Sequence, residues 1–184
     1  MWVYRNIRPI EGERWGFDNG VFKTWDRGGP MRREQFDVDG YLRRVDRAHK
    51  VGTPYLAVVP DLIAAGNASL DFSLEWRTRL PREWPLYLAV QDGMDSERVE
   101  NYLACDFFSG IFLGGSTAFK QTAPTWCAMA HKYGARFHYG RCSSIRAWER
   151  ARAMGADSVD SSQMLWSWRA LRAFENATGQ KTLF

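Results

Sequence analysis

Polar residues of a few types stand directly after short apolar runs at several points along this chain. They are Asp18, Asp61, Gln91, Gly114, Gly115, Arg141 and Asp160. Paired carboxylates commonly catalyse reactions at an anomeric carbon, because one attacks or stabilises the oxocarbenium-like centre while another donates or accepts a proton. Carboxylates held close together raise one another's pKa, and keeping them together costs free energy unless a ligand or a cation binds them. The three carboxylates therefore predict a functional pocket, provided that the fold brings them together.

The glycine and arginine residues of this set suit another part of a substrate. Gly114 and Gly115 can present bare backbone N–H groups to a carbonyl oxygen or a phosphate, although paired glycines also form tight turns. Arg141 lies three residues after His138, at the end of a predicted strand, so both suit a phosphate. A structural salt bridge for Arg141 and a packed, hydrogen-bonded role for His138 remain open as alternatives.

Short apolar runs alternate with longer amphipathic stretches, and these elements must position the polar residues. The apolar runs predict strands at residues 2–6, 14–17, 55–59, 86–90, 110–113, 136–139 and 158–160. The amphipathic stretches predict helices at residues 36–50, 68–80, 96–103, 124–133, 144–154 and 164–177. Ser144 is the expected N-cap of its helix, and glycine follows the helices that end near Tyr133 and Met154.

Repeated strand–helix units predict an α/β fold with parallel strands and right-handed crossovers. Seven or eight strands correspond to a compact TIM-like (β/α)8 barrel, complete or incomplete, although 184 residues are fewer than the roughly 200 to 250 usual for one. An open doubly wound sheet is the alternative. We expect a single catalytic domain over residues 1–184. In a parallel barrel all strands end on one face, which would bring the polar residues to one pocket.

The composition narrows the class of protein. A net charge of +4 and a pI near 9.1 fit a polyanionic partner, and a hydrophobic content of 45% excludes general disorder. Most of the nine tryptophans are expected in the core, and others could stack on bases. Without an apolar run long enough to span a bilayer or a signal peptide, the chain is expected to be cytoplasmic, with no membrane contact.

Several common site types are not expected. Cys105, Cys127 and Cys142 form no C-x-x-C pair and no Cys/His cluster at zinc spacing, so we expect reduced thiols, no metal and no cofactor. The Walker, G-x-G-x-x-G, G-x-S-x-G and H-E-x-x-H motifs are missing from the sequence, which sets aside several enzyme classes.

Six short segments at predicted strand ends follow one another in a recognisable order. They are residues 17–22 (FDNGVF), 59–61 (VPD), 90–93 (VQDG), 112–116 (FLGGS), 138–141 (HYGR) and 155–160 (GADSVD). Together they resemble the tRNA-guanine transglycosylase superfamily. The closer likeness is to its DNA-acting branch, the deazapurine DNA modification protein A type of phages and bacterial modification clusters. The likeness covers about residues 15–162, and its specificity lies in the order of motifs that are individually short.

The resemblance implies a barrel enzyme that replaces guanine in DNA with a 7-deazaguanine (preQ0-like) base without breaking the chain. Asp160 would be the nucleophile at C1′, forming a covalent glycosyl-enzyme in a ping-pong mechanism. Asp157 is the competing candidate, but it opens the last strand, whereas Asp160 ends it. Asp18 would handle a proton or recognise the base.

The remaining residues would bind the substrate. Asp61 and Gln91 would read the hydrogen-bonding edge of the purine, and the backbone of Gly114 and Gly115 would meet its carbonyl oxygen. Arg141, with His138, would contact the nucleic acid at a phosphate while the target nucleotide leaves the stack. We expect DNA and the free 7-deazaguanine base as partners, with a homodimer or a modification-complex partner also open, in the host cytoplasm if the gene belongs to a phage.

Two departures bear on the polymer. Superfamily members that act on tRNA carry a zinc site of three cysteines and a histidine after the last barrel strand. No cysteine or histidine follows Asp160 here, and little chain remains for an RNA-binding subdomain, so DNA is favoured over tRNA. The alternatives are a tRNA-acting relative, a nucleosidase or DNA glycosylase using the same carboxylates, and a nucleic-acid-binding module without catalysis.

Overall fold

Seven strands of this protein run in the same direction within one sheet. The computed structural model describes residues 2–4 and 15–161, together with five positions between 169 and 176. The strands are β1 (Trp2–Tyr4), β2 (Gly16–Phe17), β3 (Leu56–Val58), β4 (Leu86–Val90), β5 (Gly110–Leu113), β6 (Arg136–Tyr139) and β7 (Ser158–Asp160). From β2 to β7 they lie side by side in chain order, and β1 pairs with the outer edge of β7.

Helices connect these strands at the places that the sequence pattern indicates. They are α1 (Val38–His49), α2 (Asn67–Arg77), α3 (Ser96–Ala104), α4 (Ala123–Lys132) and α5 (Ile145–Ala153). Asp37 caps α1 by accepting from Gly40 N–H, and Ser144 caps α5 by accepting from Ala147 N–H. The N-cap predicted at Ser144 is therefore confirmed.

The two faces of the sheet are packed differently. On one face, buried side chains of all five helices pack against the sheet in a large core, which includes Trp76, Trp84 and Trp148. The other face carries a small separate cluster formed by Leu56, Val58, Tyr87 and Ala89. Since the helices share one face, the sheet curls around the other, and Asp18, just after β2, lines the same cavity as Asp160, the last residue of β7.

The predicted α/β fold with parallel strands is confirmed as a curled sheet flanked by helices, compatible with an incomplete barrel. Among the described residues β1 does not pair with β2, so the seam between them is open. The strand order lacks the reversal that defines a doubly wound sheet, and that alternative does not fit. The predicted helix at 164–177 lies mostly outside the described residues, and its five described positions are helical. No helix in the described part of the chain is long and apolar enough to cross a membrane.

Candidate active site

A cavity of about 610 Å³ opens where strands β2 to β7 end. We call it the large cavity. Seven of the eight residues predicted for the site line it. These are Asp18, Asp61, Gln91, Gly114, Gly115, Arg141 and Asp160. The convergence expected from strand-end positions therefore occurs, because parallel strands in a curled sheet direct their carboxyl ends to one place.

Apolar groups form the floor and one side of the large cavity. Val58, Ala89 and Phe112 contribute from the concave face of the sheet, and Phe22 and Trp25 stand together with ring centroids 5.8 Å apart. Trp25 is held in place because its indole N–H donates to Gly29 O at 2.7 Å. Flat apolar walls with a few polar groups suit a planar heteroaromatic ligand.

A buried amide–carboxylate network forms the polar edge of this cavity. Asn19 Nδ2 donates to Asp61 Oδ1 at 2.7 Å and to Val59 O at 3.0 Å. Gln91 Nε2 lies 3.2 Å from Asp61 Oδ2 and 2.8 Å from Ser69 Oγ, and Gln91 Oε1 accepts from Ala64 N–H. The carboxyl group of Asp61 is thus fixed on both oxygens, and the Gln91 amide is used to fix it.

The environment of Asp61 changes its titration. Burial raises the pKa of Asp61 to about 7, with a further contribution from the negative charge of Asp18, against hydrogen bonds from Asn19 and Gln91 that lower it. Asp18 itself is exposed and accepts from Gly20 N–H at 2.9 Å. Two carboxyl groups with different surroundings therefore face one cavity, an arrangement that can separate a recognition group from a proton carrier.

The two glycines line the cavity and differ in how their backbone N–H groups are used. Gly114 N–H donates to Val90 O at 2.9 Å, whereas Gly115 N–H makes no hydrogen bond within the described residues. Gly115 has φ +74°, and a Cβ there would stand 2.7 Å from the Phe119 ring and 2.8 Å from Asp92. Asp92 holds the turn by accepting from both the N–H and the hydroxyl of Ser116.

Asp160 is fixed on one oxygen. Its Oδ1 accepts from Arg141 N–H at 2.7 Å and lies 3.1 Å from His138 Nε2, while Oδ2 makes no hydrogen bond within residues 15–161. Although burial acts to raise the pKa of Asp160, hydrogen bonds and positive charge from His138, with help from Arg141 N–H and Lys120, keep it below its ordinary value. The group is an ionised carboxylate with one oxygen available, as a nucleophile requires.

His138 stands behind Asp160 and not in the cavity. It is 1% exposed, its Nδ1 lies 2.8 Å from Ser158 Oγ, and its ring stacks on Phe112 at 4.7 Å. This position does not fit the predicted phosphate contact, because both ring nitrogens are engaged inside the protein. It fits the packed alternative, with a role in orienting Asp160.

Arg141 connects the glycine turn after β5 to Asp160. Its guanidinium donates to Gly115 O at 2.6 Å, its N–H holds Asp160, and its backbone has φ +50°. A non-glycine residue in this left-handed region is strained, and Arg141 adopts it where its N–H donates to the carboxylate. Asp157, the competing nucleophile candidate, instead pairs with His131 at 3.0 Å and accepts from Phe137 N–H at the opposite end of β7.

Sequence reasoning missed Asn19, Lys120 and Ser158 as parts of this site. Asn19 lies within the segment of residues 17–22 that carries the resemblance. Ser158 lies two residues before Asp160 on the same face of β7, so strand alternation was a usable signal for Ser158. Lys120 follows a turn after β5 and reaches Gly140 O across the loop, which no local pattern indicates. The described residues contain no group of three or more side chains that could hold a metal ion.

Comparison of the chain with protein-family models, with curated proteins and with solved structures gives no match in any of the three. The geometry of the site is therefore what supports a function.

Proposed function

We propose that this protein is a transglycosylase that exchanges guanine in DNA for a 7-deazaguanine base through a covalent intermediate on Asp160. The curled sheet is taken as an incomplete (β/α)8 barrel, and the motifs that resemble the DNA-acting branch of the tRNA-guanine transglycosylase superfamily lie at its strand ends. The observation that carries the proposal is Asp160, with one oxygen held and the other available, on the wall of an apolar cavity with a polar edge.

The large cavity has the features that a purine would need. Phe22, Trp25 and Phe112 can face the flat ring, and Asp61 can accept hydrogen bonds from its N–H groups. Gly115 N–H supplies a donor for the carbonyl oxygen. In this proposal Gln91 acts through Asp61, because its amide already holds that carboxyl group.

The reaction would proceed in two displacements. First Asp160 Oδ2 bonds to C1′ while the C1′–N9 bond breaks, and guanine N9 keeps the electron pair and takes a proton from Asp18. Then N9 of the 7-deazaguanine attacks C1′, the bond to Asp160 breaks, and the N9 proton returns to Asp18. Protons balance over the cycle, and two inversions retain the configuration at C1′.

Labelled 7-deazaguanine offered with single-stranded DNA, duplex DNA and tRNA tests this proposal. We expect label in DNA, and Asp160→Asn to lower its incorporation by at least about 10³-fold. Asp157→Asn is the matched control, since it removes a carboxylate from the other end of the same strand, and it should retain activity. Without the incoming base, a denaturation-resistant adduct of protein and DNA should form in the wild type and in Asp157→Asn, and it should be absent in Asp160→Asn.

Label in tRNA only would overturn the choice of polymer. Abasic sites accumulating without incorporation would show a glycosylase instead. Full incorporation by Asp160→Asn would refute the assigned nucleophile.

A further inference from the structure

A second cavity, of about 400 Å³, lies on the other side of Asp160. We call it the cationic cavity. Lys120, Arg141 and Arg150 line it, and Asp160 is its one carboxylate among the described residues. Only Asp160 and Arg141 line both cavities. Three cations against one carboxylate leave the wall of the cationic cavity positive, in contrast to the apolar wall of the large cavity.

The start of α5 adds donors to this wall. Ser143 and Ser144 line the cationic cavity directly before the helix, where the first backbone N–H groups lack intrahelical partners and the helix dipole favours negative charge. Ser144 Oγ already accepts from Ala147 N–H. Helix starts of this kind are common in proteins, so this one indicates an anion site only together with two other residues that line the cavity, Ser161 and Lys120.

Ser161 is the first of these. It is 4% exposed, it lines the cationic cavity, and its hydroxyl has no hydrogen-bond partner among the described residues. A buried hydroxyl without a partner costs free energy, and nearly all such groups in native proteins are satisfied. An acceptor oxygen held in this cavity would satisfy it.

Lys120 is the second. Its ammonium group donates to Gly140 O and lies 4.9 Å from the centre of the Tyr139 ring, largely out of solvent. Burial, followed by the nearby charge of Arg141, lowers the pKa of Lys120 to about 8, although Asp160 opposes the shift. Lys120 is half-buried beside a second cation, with Asp160 as the nearby carboxylate, and a bound anion would add negative charge to this cluster.

We propose that the cationic cavity binds a phosphate group of the nucleotide whose sugar Asp160 attacks. Phosphate offers acceptor oxygens for Ser161 and for the start of α5, and negative charge for Lys120, Arg141 and Arg150. That the phosphate belongs to the target nucleotide rests on the proposed function, whereas the phosphate site itself does not. The base would occupy the large cavity, the phosphate the cationic cavity, and the glycosidic bond would lie at Asp160 between them.

Thermal melting in inorganic phosphate tests the site without any activity measurement. At about ten times the dissociation constant, phosphate should raise Tm by about 3 to 6 °C above sodium chloride of equal ionic strength. Arg150→Gln and Ser161→Ala should reduce this shift by weakening phosphate binding at least about fivefold. Arg152→Gln is the matched control, because it removes a cation from the same helix that does not line the cavity. Equal shifts in all four proteins, or none, would overturn the proposal.

Calorimetric titration with two probes identifies the source of the phosphate. One is dGMP, which has a terminal phosphate, and the other is the trinucleotide d(TGT) without terminal phosphates. Weaker binding of the trinucleotide to Arg150→Gln supports an internal phosphodiester, and an effect on dGMP alone supports a free nucleotide. Asp160→Asn should respond to phosphate at least as strongly as the wild type, because it removes the one carboxylate that lines the cationic cavity among the described residues. If base exchange fails while that response persists, the proposed function falls and the phosphate site stands.

Discussion

His138 supports Asp160 from a position that solvent does not reach. Its Nε2 lies 3.1 Å from Asp160 Oδ1, and Ser158 engages its other nitrogen. Because this contact helps keep the pKa of Asp160 low, His138→Phe should move the acidic limb of the kcat/KM profile for exchange upward by about one pH unit. The measurement is the full pH profile, since a merely structural loss would lower kcat/KM at every pH without moving the limb.

Partial rescue by a conservative variant provides the control. His138→Gln retains a side-chain N–H that can reach Asp160, so its acidic limb should lie between those of the wild type and His138→Phe. An unchanged limb in both variants would show that His138 only fills space.

Asp61 makes the stability of the fold depend on pH. Its folded pKa of about 7 stands above the ordinary 3.8 expected in the unfolded chain, so the folded state holds the proton more tightly. The resulting stabilisation is fully present below about pH 3.8 and is lost as the pH rises through about 7. Between pH 5 and pH 8 the Tm of Asp61→Asn should therefore fall by about 5 to 10 °C less than that of the wild type. Asp46→Asn, which removes an exposed carboxylate from α1, should melt with the wild-type dependence, and an Asp61→Asn curve parallel to both would refute this account.

Strands β5 and β6 approach so closely at the site that only glycine fits after β6. A Cβ at Gly140 would stand 2.7 Å from Leu113 O and 2.8 Å from the Phe112 ring, the ring that stacks on His138. Gly140→Ala should therefore destabilise the fold by about 1 to 3 kcal/mol and lower Tm by several degrees. Gly28→Ala adds a methyl group whose nearest neighbour is 3.4 Å away, so its melting curve should match the wild type, and equal losses in both variants would exclude the steric explanation.

The strands and helices of this fold could be predicted because each follows from a pattern within its own stretch of sequence. Hydrophobic periodicity located the strands and helices, and Ser144 marked a helix start that the structure confirms. The rule that parallel strands end together then gathered most of the site. This rule does not indicate that His138 lies behind Asp160 and outside the cavity, or that Lys120 reaches Gly140 O. Both positions depend on which neighbouring side chain fills the space between two strands.

At the scale of the whole molecule, curvature and charge act together. The sheet curls far enough for Asp18, just after β2, and Asp160, the last residue of β7, to line one cavity, although β1 and β2 do not pair among the described residues. Beside Asn19, a third hollow of about 320 Å³ is lined by Lys23, Arg43 and Arg47. Basic residues thus line two hollows beside the candidate active site, with Arg150 in the cationic cavity and Arg43 and Arg47 in the third hollow. Under the proposed function, we expect these residues to contact the phosphates of a strand whose target base occupies the large cavity.

Binding of single-stranded DNA should accordingly depend on salt. Each phosphate contact contributes about 0.7 to the slope of log K against log salt on a single strand, so the double variant Arg43→Gln, Arg47→Gln should reduce that slope by about 1.4. Arg79 and Arg82 follow the C-terminal end of α2, at the edge of the sheet opposite the cavities, and their double replacement by Gln should leave the slope unchanged. Fluorescence anisotropy of a labelled oligonucleotide over a range of sodium chloride measures both. Equal slopes for the two double variants would place the DNA path away from α1, whereas a reduction confined to Arg43 and Arg47 would fix its direction across the mouth of the site.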